Sequence, residues 1–595
     1  MKARIVQREI DEATLSAVKQ LNLHPAAETV LAGRAAKHGL DPAGIISFSL
    51  RNLDSPASLP DIDVGAQRIV QAIQSGEVIG LETDHDVDGV TSHAVLYNAL
   101  TAMGHPSEKI RSYIGHRLEE GYGLSDALCD RILADEIKPS LIITADNGSS
   151  DGPRIARLLE HGIETVVTDH HGMPQEGPPA AAVACISPVR PDSQFPDPLI
   201  AGVMVCFLVM CYVRQQLIEN GTLPDTTPRL TSLLDFVALG TVADCVSLAR
   251  SHNNRAVIKA GLQPINEGSR PCWRAIRPYL GDMSKPLSSS DLAFGIGPRI
   301  NAVGRLDDAM VGVKFLLSTT DQEAARWADE LNKGNLLRRE IESELKDEAM
   351  MVGEIQAEAG RSIIQVCLTE GHAGVHGIVA SRLVEAFGRP AICFSEKLGE
   401  PDILTGSARG VEGMNVYEAL HLVEELHPGL LLKFGGHEGA GGLSIYAKDF
   451  SVFEKLMERV VTEQIAGKTL EPLTITDGVI PTSLINDELI AALQGLEPYG
   501  REFEAALFEG HFKMVSAKPM GQTRQHWRFN LVGVEGGVFE GVWFNAGEDC
   551  PISMEGFYKL AFSPELNWWN GRAKMQLLVR NAVPAPDVKE NYYAQ

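Results

Sequence analysis

The nine cysteines include no CxxC pair, so the spacing of zinc ribbons and dithiol redox centres is missing. Several thiols, Cys206 and Cys211 among them, fall inside an apolar run, which points to buried reduced cysteines and a reducing compartment. No apolar stretch reaches the ~20 residues of a membrane span. The longest, residues 199–213, stops at Arg214 and is expected to be a buried helix. Residues 1–22 lack the apolar centre of a signal peptide. A soluble, cytoplasmic protein without a membrane partner is therefore expected. Positive charge is also short: Lys and Arg number 53 against 78 Asp and Glu, a net −25, which argues against nucleic-acid binding through a diffuse basic surface but leaves room for a local basic path. No internal repeat or low-complexity tract is present.

What is present is an ordinary globular composition, 44% hydrophobic and 22% charged, over 595 residues. At ~150 residues per domain this length suggests about four domains. Residues 66–317 alternate short apolar strands with helical stretches. Three strands, at 77–81, 140–145 and 165–168, are almost continuously apolar and run into carboxylates. That is the pattern of a buried parallel sheet, where ligands bind at the carboxyl ends of strands. Residues 318–360 read as a long charged connecting helix, weakened near Gly334. A second α/β unit is expected at 361–469, and a β-barrel or sandwich at 470–585. Residues 1–65 would be an extension packing on the first α/β domain, and 586–595 a tail.

Four motifs carry chemistry. Asp84-His85-Asp86-Val87-Asp88-Gly89 concentrates carboxylates after a strand, a set of hard oxygen donors suited to Mg²⁺ or Mn²⁺. A solvated acidic turn is the alternative; a calcium loop fits poorly, because its twelfth position is Val95. Asp146 follows the second strand, where helix capping is equally open. Thr168-Asp169-His170-His171 follows the third and could offer one imidazole to a metal and the other to a substrate. Gly240-Thr241-Val242-Ala243-Asp244 is again an apolar run ending in Asp, expected on the same sheet.

Together these motifs resemble the DHH phosphoesterase superfamily, and their order and spacing are similar to its bacterial single-strand-specific exonucleases. Further matching segments are Tyr113-Ile114-Gly115-His116-Arg117, Glu120-Gly121-Tyr122-Gly123-Leu124-Ser125, Gly297-Pro298-Arg299-Ile300-Asn301-Ala302-Val303-Gly304-Arg305, Gly377-Ile378-Val379-Ala380-Ser381-Arg382-Leu383 and Gly435-Gly436-His437 through Gly442. The resemblance runs over about residues 66–508. It departs at His85, where Tyr or Phe is usual, at Gly410 after Ser407-Ala408-Arg409, and at Gly441 in place of Ala. His85 is expected to pack beside the site rather than ligate.

The resemblance implies an α/β parallel-sheet DHH domain, a smaller α/β DHH-associated domain (DHHA1) after the long helix, and an oligonucleotide-binding (OB-like) barrel at the C-terminus. It implies two divalent ions, Mn²⁺ or Mg²⁺. Asp86 and Asp88 would hold one each, Asp146 would bridge them, Asp84 would join the first, and His170 and Asp244 the second. Glu82 is a weaker candidate ligand. His171, Asp146 and Asp169 are the expected catalytic residues. Arg117, Arg299, Asn301, Arg305, Ser407, Arg409 and His437 are expected to bind substrate, with Arg117, Ser407 and Arg409 at a 5′-phosphate.

The implied reaction is 5′→3′ hydrolysis of single-stranded DNA to 5′-mononucleotides in repair and recombination, by a monomer cooperating with a helicase and a single-strand-binding protein. The enzymatic alternative is a phosphodiesterase for short oligoribonucleotides or cyclic dinucleotides. A scaffold that has lost catalysis is a third reading, opposed by the intact carboxylates. Within the barrel, residues 510–534 and 566–586 hold no acid and mix basic with aromatic residues, so Trp527 and one of Trp568 and Trp569 are expected to be exposed for base stacking.

Overall fold

The computed structural model describes residues 3–116, 120–121, 123–306, 308–368, 373–467 and 470–588, without the side chains of residues 305, 306 and 373. The chain divides into two compact units, one of residues 8–335 and 477–595, the other of residues 1–7 and 336–476.

The larger unit is built on a five-stranded parallel sheet: β1 (Ile79–Thr83), β2 (Ile110–Ile114), β3 (Leu141–Ala145), β4 (Glu164–Thr168) and β5 (Ala184–Ile186), in the order β2-β1-β3-β4-β5. Every residue of β1 and β3 is buried, which explains runs that are apolar but for Glu82, Thr83 and Thr144. Strand order reverses between β1 and β3, the switch point at which open α/β sheets leave a crevice beyond the strand ends.

Four helices complete the surroundings: α1 (Val87–Ala102), α2 (Gly202–Glu219), α3 (Leu234–Ala243) and α4 (Gly297–Leu306). α2 contains most of the longest apolar run and is long and apolar enough to cross a membrane by length and composition. Its residues 202–210 are all buried in the core around the sheet, as the sequence leads one to expect.

Helix α5 (Asp321–Glu358) runs unbroken through Gly334. The expected weakening there is absent for a packing reason: a Cβ at Gly334 would come within 2.9 Å of Val303 Cγ2, so the glycine admits a close neighbour. The smaller unit continues with a mixed sheet of β6 (Ile364–Cys367), β7 (Ala391–Lys397), β8 (Glu400–Arg409), β9 (Lys433–Gly436) and β10 (Ala440–Tyr446), ordered β9-β10-β8-β7-β6. In the same unit the strand Arg4–Gln7 pairs in parallel with Leu473–Thr476.

The larger unit ends in a closed barrel of β11 (Phe508–Met520), β12 (His526–Gly533), β13 (Val538–Trp543), β14 (Tyr558–Trp569) and β15 (Arg572–Pro584). Its core is continuous with the N-terminal helix Pro25–His38. From that helix the buried Arg34 ion-pairs with buried Asp477 and donates to the carbonyl of Glu504 at 2.9 Å. Removing one partner of such a pair strands a buried charge, at a cost of roughly 3–5 kcal/mol. Arg34→Met is therefore expected to lower unfolding free energy by about that amount in urea titration, with a wild-type result showing that the pair contributes little.

Candidate metal and phosphate site

Three carboxylates begin where three strands end, and backbone bonds carry the ladder one residue past each tip. Asp84 N–H donates to Ala145 O at 3.3 Å, Asp146 N–H to Thr168 O at 3.0 Å, and Asp169 N–H to Ile186 O at 3.2 Å. Asp146 adopts φ +65°, a left-handed conformation more tolerable for Asp than for most residues.

Helix ends fix the next two. Asp86 is the N-cap of α1, accepting the Asp88 and Gly89 amides at 2.8 and 3.2 Å. Asp88, inside that first turn, accepts the Gly202 and Val203 amides of the α2 N-terminus at 2.7 and 2.9 Å. A Cβ on Gly202 would fall 2.8 Å from Asp146 Oδ1, and one on Gly240 would fall 3.0 Å from Asp88 Oδ1, so both glycines let helices close on the carboxylates.

Asp244 differs from its expected placement. Residues 240–243 are the last turn of α3, not a strand, and Asp244 is its C-cap. It still reaches the other carboxylates, because α3 packs along α1. His170 Nε2 lies 3.1 Å from Asp146 Oδ1, 3.6 Å from Asp244 Oδ2 and 3.8 Å from Asp88 Oδ2.

Among the described residues, three sets have donor atoms mutually within 4.8 Å: Asp84, Asp86 and Asp146; Asp88, His170 and Asp244; and Asp146, His170 and His171. Asp146 and His170 each serve two of the sets. Hard oxygens with one imidazole suit Mg²⁺ or Mn²⁺, so the donor chemistry fits a pair of divalent ions.

The electrostatics describe a cluster waiting for positive charge. Burial, then Asp86, pushes the Asp88 carboxyl up to about 7. Burial, then Asp84, raises Asp86. Burial followed by repulsion from Asp88 and Asp86 lifts both Asp146 and Asp244 well above the carboxylate range. Asp169 goes the other way. Burial alone would lift it, but hydrogen bonds and charge from the two histidines hold it well below the usual range. It accepts the Ser149, His170 and His171 amides and His171 Nδ1–H, the last at 2.8 Å. Burial opposes the charge on His171, yet the Asp169 partnership raises its imidazole to about 9.

The remaining candidates are more dispersed. Glu82 is fully buried, accepts from Asn147 Nδ2 at 3.2 Å, and belongs to none of the three sets. His85 Nδ1 lies 2.8 Å from Asp84 Oδ1. Asn301 Oδ1 accepts the Val87 amide at 3.1 Å, supporting the acidic turn from α4. The Arg299 guanidinium donates to Asn332 Oδ1, Gly295 O and Tyr279 O, so the fold itself engages it. Arg117 and the Arg305 side chain lie outside the described residues.

In the smaller unit, Ser407 and Arg409 alternate along β8, opposite Gly442 and Ala440 of β10, and His437 begins the turn into β10. In the barrel Trp569 is 75% exposed. Trp568 is half-buried, as is Trp527, contrary to expectation for the latter: its Nε1–H donates to Gly547 O at 2.9 Å, which draws the ring onto the barrel. Sequence reading missed the Gly202 and Val203 amides; a glycine within the longest apolar run was their only signal.

A family model for the DHH family N-terminal domain matches residues 78–241, and a DHHA1 domain model matches residues 360–463. Fold and site thus define a DHH-class protein. A RecJ OB domain model matches residues 476–581. The single-stranded-DNA-specific exonuclease RecJ of Dickeya dadantii is 35% identical over 96% of this chain and 100% of its own length. That of Escherichia coli K12 is 34% identical over 97% and 98%. A crystal structure of RecJ in complex with Mn²⁺ from Thermus thermophilus superposes with TM-score 0.76 at 25% identity, covering 98% of this chain and 79% of that one. The chain belongs to the RecJ family.

The His171–Asp169 pair sets a pH dependence for the metal-free protein. A raised imidazole contributes stability that is full below about 6.5 and lost as pH rises through about 9. NMR titration of the His171 ring is expected to show a midpoint near 9 that falls in Asp169→Asn; an unmoved midpoint would refute the pairing.

Proposed function

We propose that the chain is a single-stranded-DNA exonuclease that cuts 5′→3′, releases 5′-mononucleotides and uses two divalent ions, Mn²⁺ or Mg²⁺. The observation that carries this reading is the meeting of three donor sets, joined through Asp146 and His170, at the strand ends where the sheet order reverses. Membership of the RecJ family and the Mn²⁺ in the Thermus relative support it.

In this reading Asp84, Asp86 and Asp146 hold one ion, and Asp88, Asp146, His170 and Asp244 the other. The bound ions supply Lewis acidity and an activated water. The protein's own groups fix the geometry. The sheet ladder and the α2 N-terminus hold the carboxylates rigid before substrate arrives. Asp169 accepts from His171 Nδ1, which leaves Nε2–H to donate to a phosphate oxygen. Water oxygen bonds to phosphorus as the bond to the preceding nucleotide's 3′-oxygen breaks, and that oxygen takes a proton. The shortened strand again begins with a 5′-phosphate, so the same end is presented at every cycle. Arg117, Arg305, Ser407, Arg409 and His437 are proposed to bind substrate, and Arg117, Ser407 and Arg409 its terminal phosphate, through charge-assisted hydrogen bonds. Asn301 holds the acidic turn through the Val87 amide while Arg299 braces Gly295, Tyr279 and Asn332, and both are proposed to contact substrate as well. Trp569 is the best placed of the three tryptophans to stack a base.

The domain roles follow: residues 66–317 catalyse, 361–469 bind the end, and 470–585 track the strand. Such an enzyme needs duplex opened ahead of it, so a monomer in the cytoplasm working beside a helicase and a single-strand-binding protein, in DNA repair and recombination, completes the proposal.

The test is digestion of end-labelled single strands of both polarities. Mononucleotide release from the 5′ end with Mn²⁺ or Mg²⁺, abolished by chelation, is expected. Asp146→Asn should cut the rate by about 10³-fold or more while strand binding survives. Attack from the 3′ end, or hydrolysis confined to dinucleotides, would overturn the assignment.

A further inference from the structure

Among the described residues no Phe, Tyr or Trp is more exposed than Phe294, at 83%. It stands in the middle of a single π-helical turn, Leu292–Ile296, which the Gly297 amide closes on the Leu292 carbonyl. Turns of this kind are rare and recur at functional sites. Leu292 and Ile296 are buried, so the turn is pinned to the core while it carries one large apolar ring into water. Among the described residues that ring makes no aromatic or cation–π contact.

The turn ends against the carboxylate site. A Cβ at Gly297, about one helical turn past Phe294, would lie 3.7 Å from Ala243 Cβ and 3.9 Å from Val87 Cγ2. Ala243 precedes Asp244, and Val87 separates Asp86 from Asp88. The turn is also tied to the loop 279–285. Arg299 donates to Tyr279 O at 3.0 Å, Lys285 Nζ donates to Asp291 Oδ1 at 2.6 Å, and a Cβ at Gly295 would fall 2.8 Å from Leu280 Cδ2. Arg277 braces the loop, donating to the carbonyls of Asp282 and Met283 at 3.2 and 3.1 Å. The same loop holds the tip of the β14–β15 hairpin of the barrel, where Asp282 Oδ2 accepts the Gly571 amide at 3.2 Å. At that tip Trp569 pairs across the hairpin with Arg572, which is exposed and has no ion pair among the described residues. One braced loop therefore joins two exposed aromatic rings, with a free cation beside the second and the carboxylate turn beyond the first.

We propose that Phe294 stacks on one of the bases nearest the 5′ end of the single strand, so that the strand passes from the carboxylate crevice over Phe294 toward Trp569. The inference rests on the exonuclease reading and adds to it a base-stacking residue outside the barrel. Every base has a face to offer such a ring, so the contact tolerates any sequence. Bases in a duplex are already stacked on one another, so a ring in this place favours an unpaired strand. Its mount is fixed before substrate arrives, which lowers the entropy lost on binding.

The experiment uses the full-length protein in chelator and labelled 5′-phosphorylated single strands, read by fluorescence anisotropy. The strands are either intact or carry one abasic position, moved in turn through the nucleotides nearest the 5′ end. Phe294→Ala is expected to weaken binding of the intact strand by roughly 5- to 30-fold. The dependence of affinity on salt should not change, because no phosphate contact is lost. One particular abasic position should cost the wild-type protein a similar factor and cost Phe294→Ala almost nothing, a coupling that a base–ring contact produces and a structural role does not. Phe294→Trp should keep wild-type affinity and the coupling. Wild-type affinity in Phe294→Ala would overturn the proposal. So would a loss of affinity without coupling to any abasic position, with or without a lowered melting temperature. Failure of the wild-type protein to bind or cut single strands would instead overturn the reading on which the inference stands.

Discussion

Six acidic groups share one buried crevice, and the structure is arranged around keeping them there. Like charges at these separations repel strongly away from water, and burial penalises each ionised carboxyl further. Among the described residues the protein answers with fixed partial charges rather than with a lysine or arginine bonded to these carboxylates. Asp88 takes two amides from the start of α2, Asp86 takes two from its own helix, and Asp169 takes three amides and an imidazole. That covers part of the charge and leaves the inner oxygens of Asp146, Asp88 and Asp244 facing one another around His170. What remains is a deficit that divalent cations match.

The same constraint accounts for the global acidity. A net −25 would repel a polyanion from most of the surface, so contact with DNA has to be confined to places where cations gather. On the barrel, Arg528 and Lys574 are shared with Glu540, which tempers that face instead of leaving it uniformly basic.

How much could be read from sequence depended on whether a signal was local. Strands tipped by Asp84, Asp146 and Asp169 are legible because a strand buried on both faces writes a nearly continuous apolar run that stops close to its end. The run into Asp244 looks the same, yet it is a helix; short apolar runs carry no period that separates the two, and α3 is apolar all round because neighbours cover it. Gly334 suggested a break in the long helix, but propensity counts for little against a position where only a glycine fits beside Val303. Arg299 and Asn301 sit in a motif that marks the site; Asn301 accepts the Val87 amide of the acidic turn, whereas Arg299 bonds to the Gly295 and Tyr279 carbonyls. Trp527 was assigned to solvent from composition, which cannot see the Gly547 carbonyl that draws its indole inward.

The left-handed backbone of Asp146 has a bearing on how such a protein can drift. A residue there must tolerate a positive φ and, on the proposed two-ion reading, also carry a negative oxygen. Asn and Gly meet the second demand without the first, and Glu meets the first at greater backbone strain. No single replacement satisfies both, so the position has no neutral neighbours in sequence space. On the proposed reading, a lineage under weakened selection would accumulate changes around this aspartate before it could lose the residue quietly, and a descendant without it would have left catalysis behind.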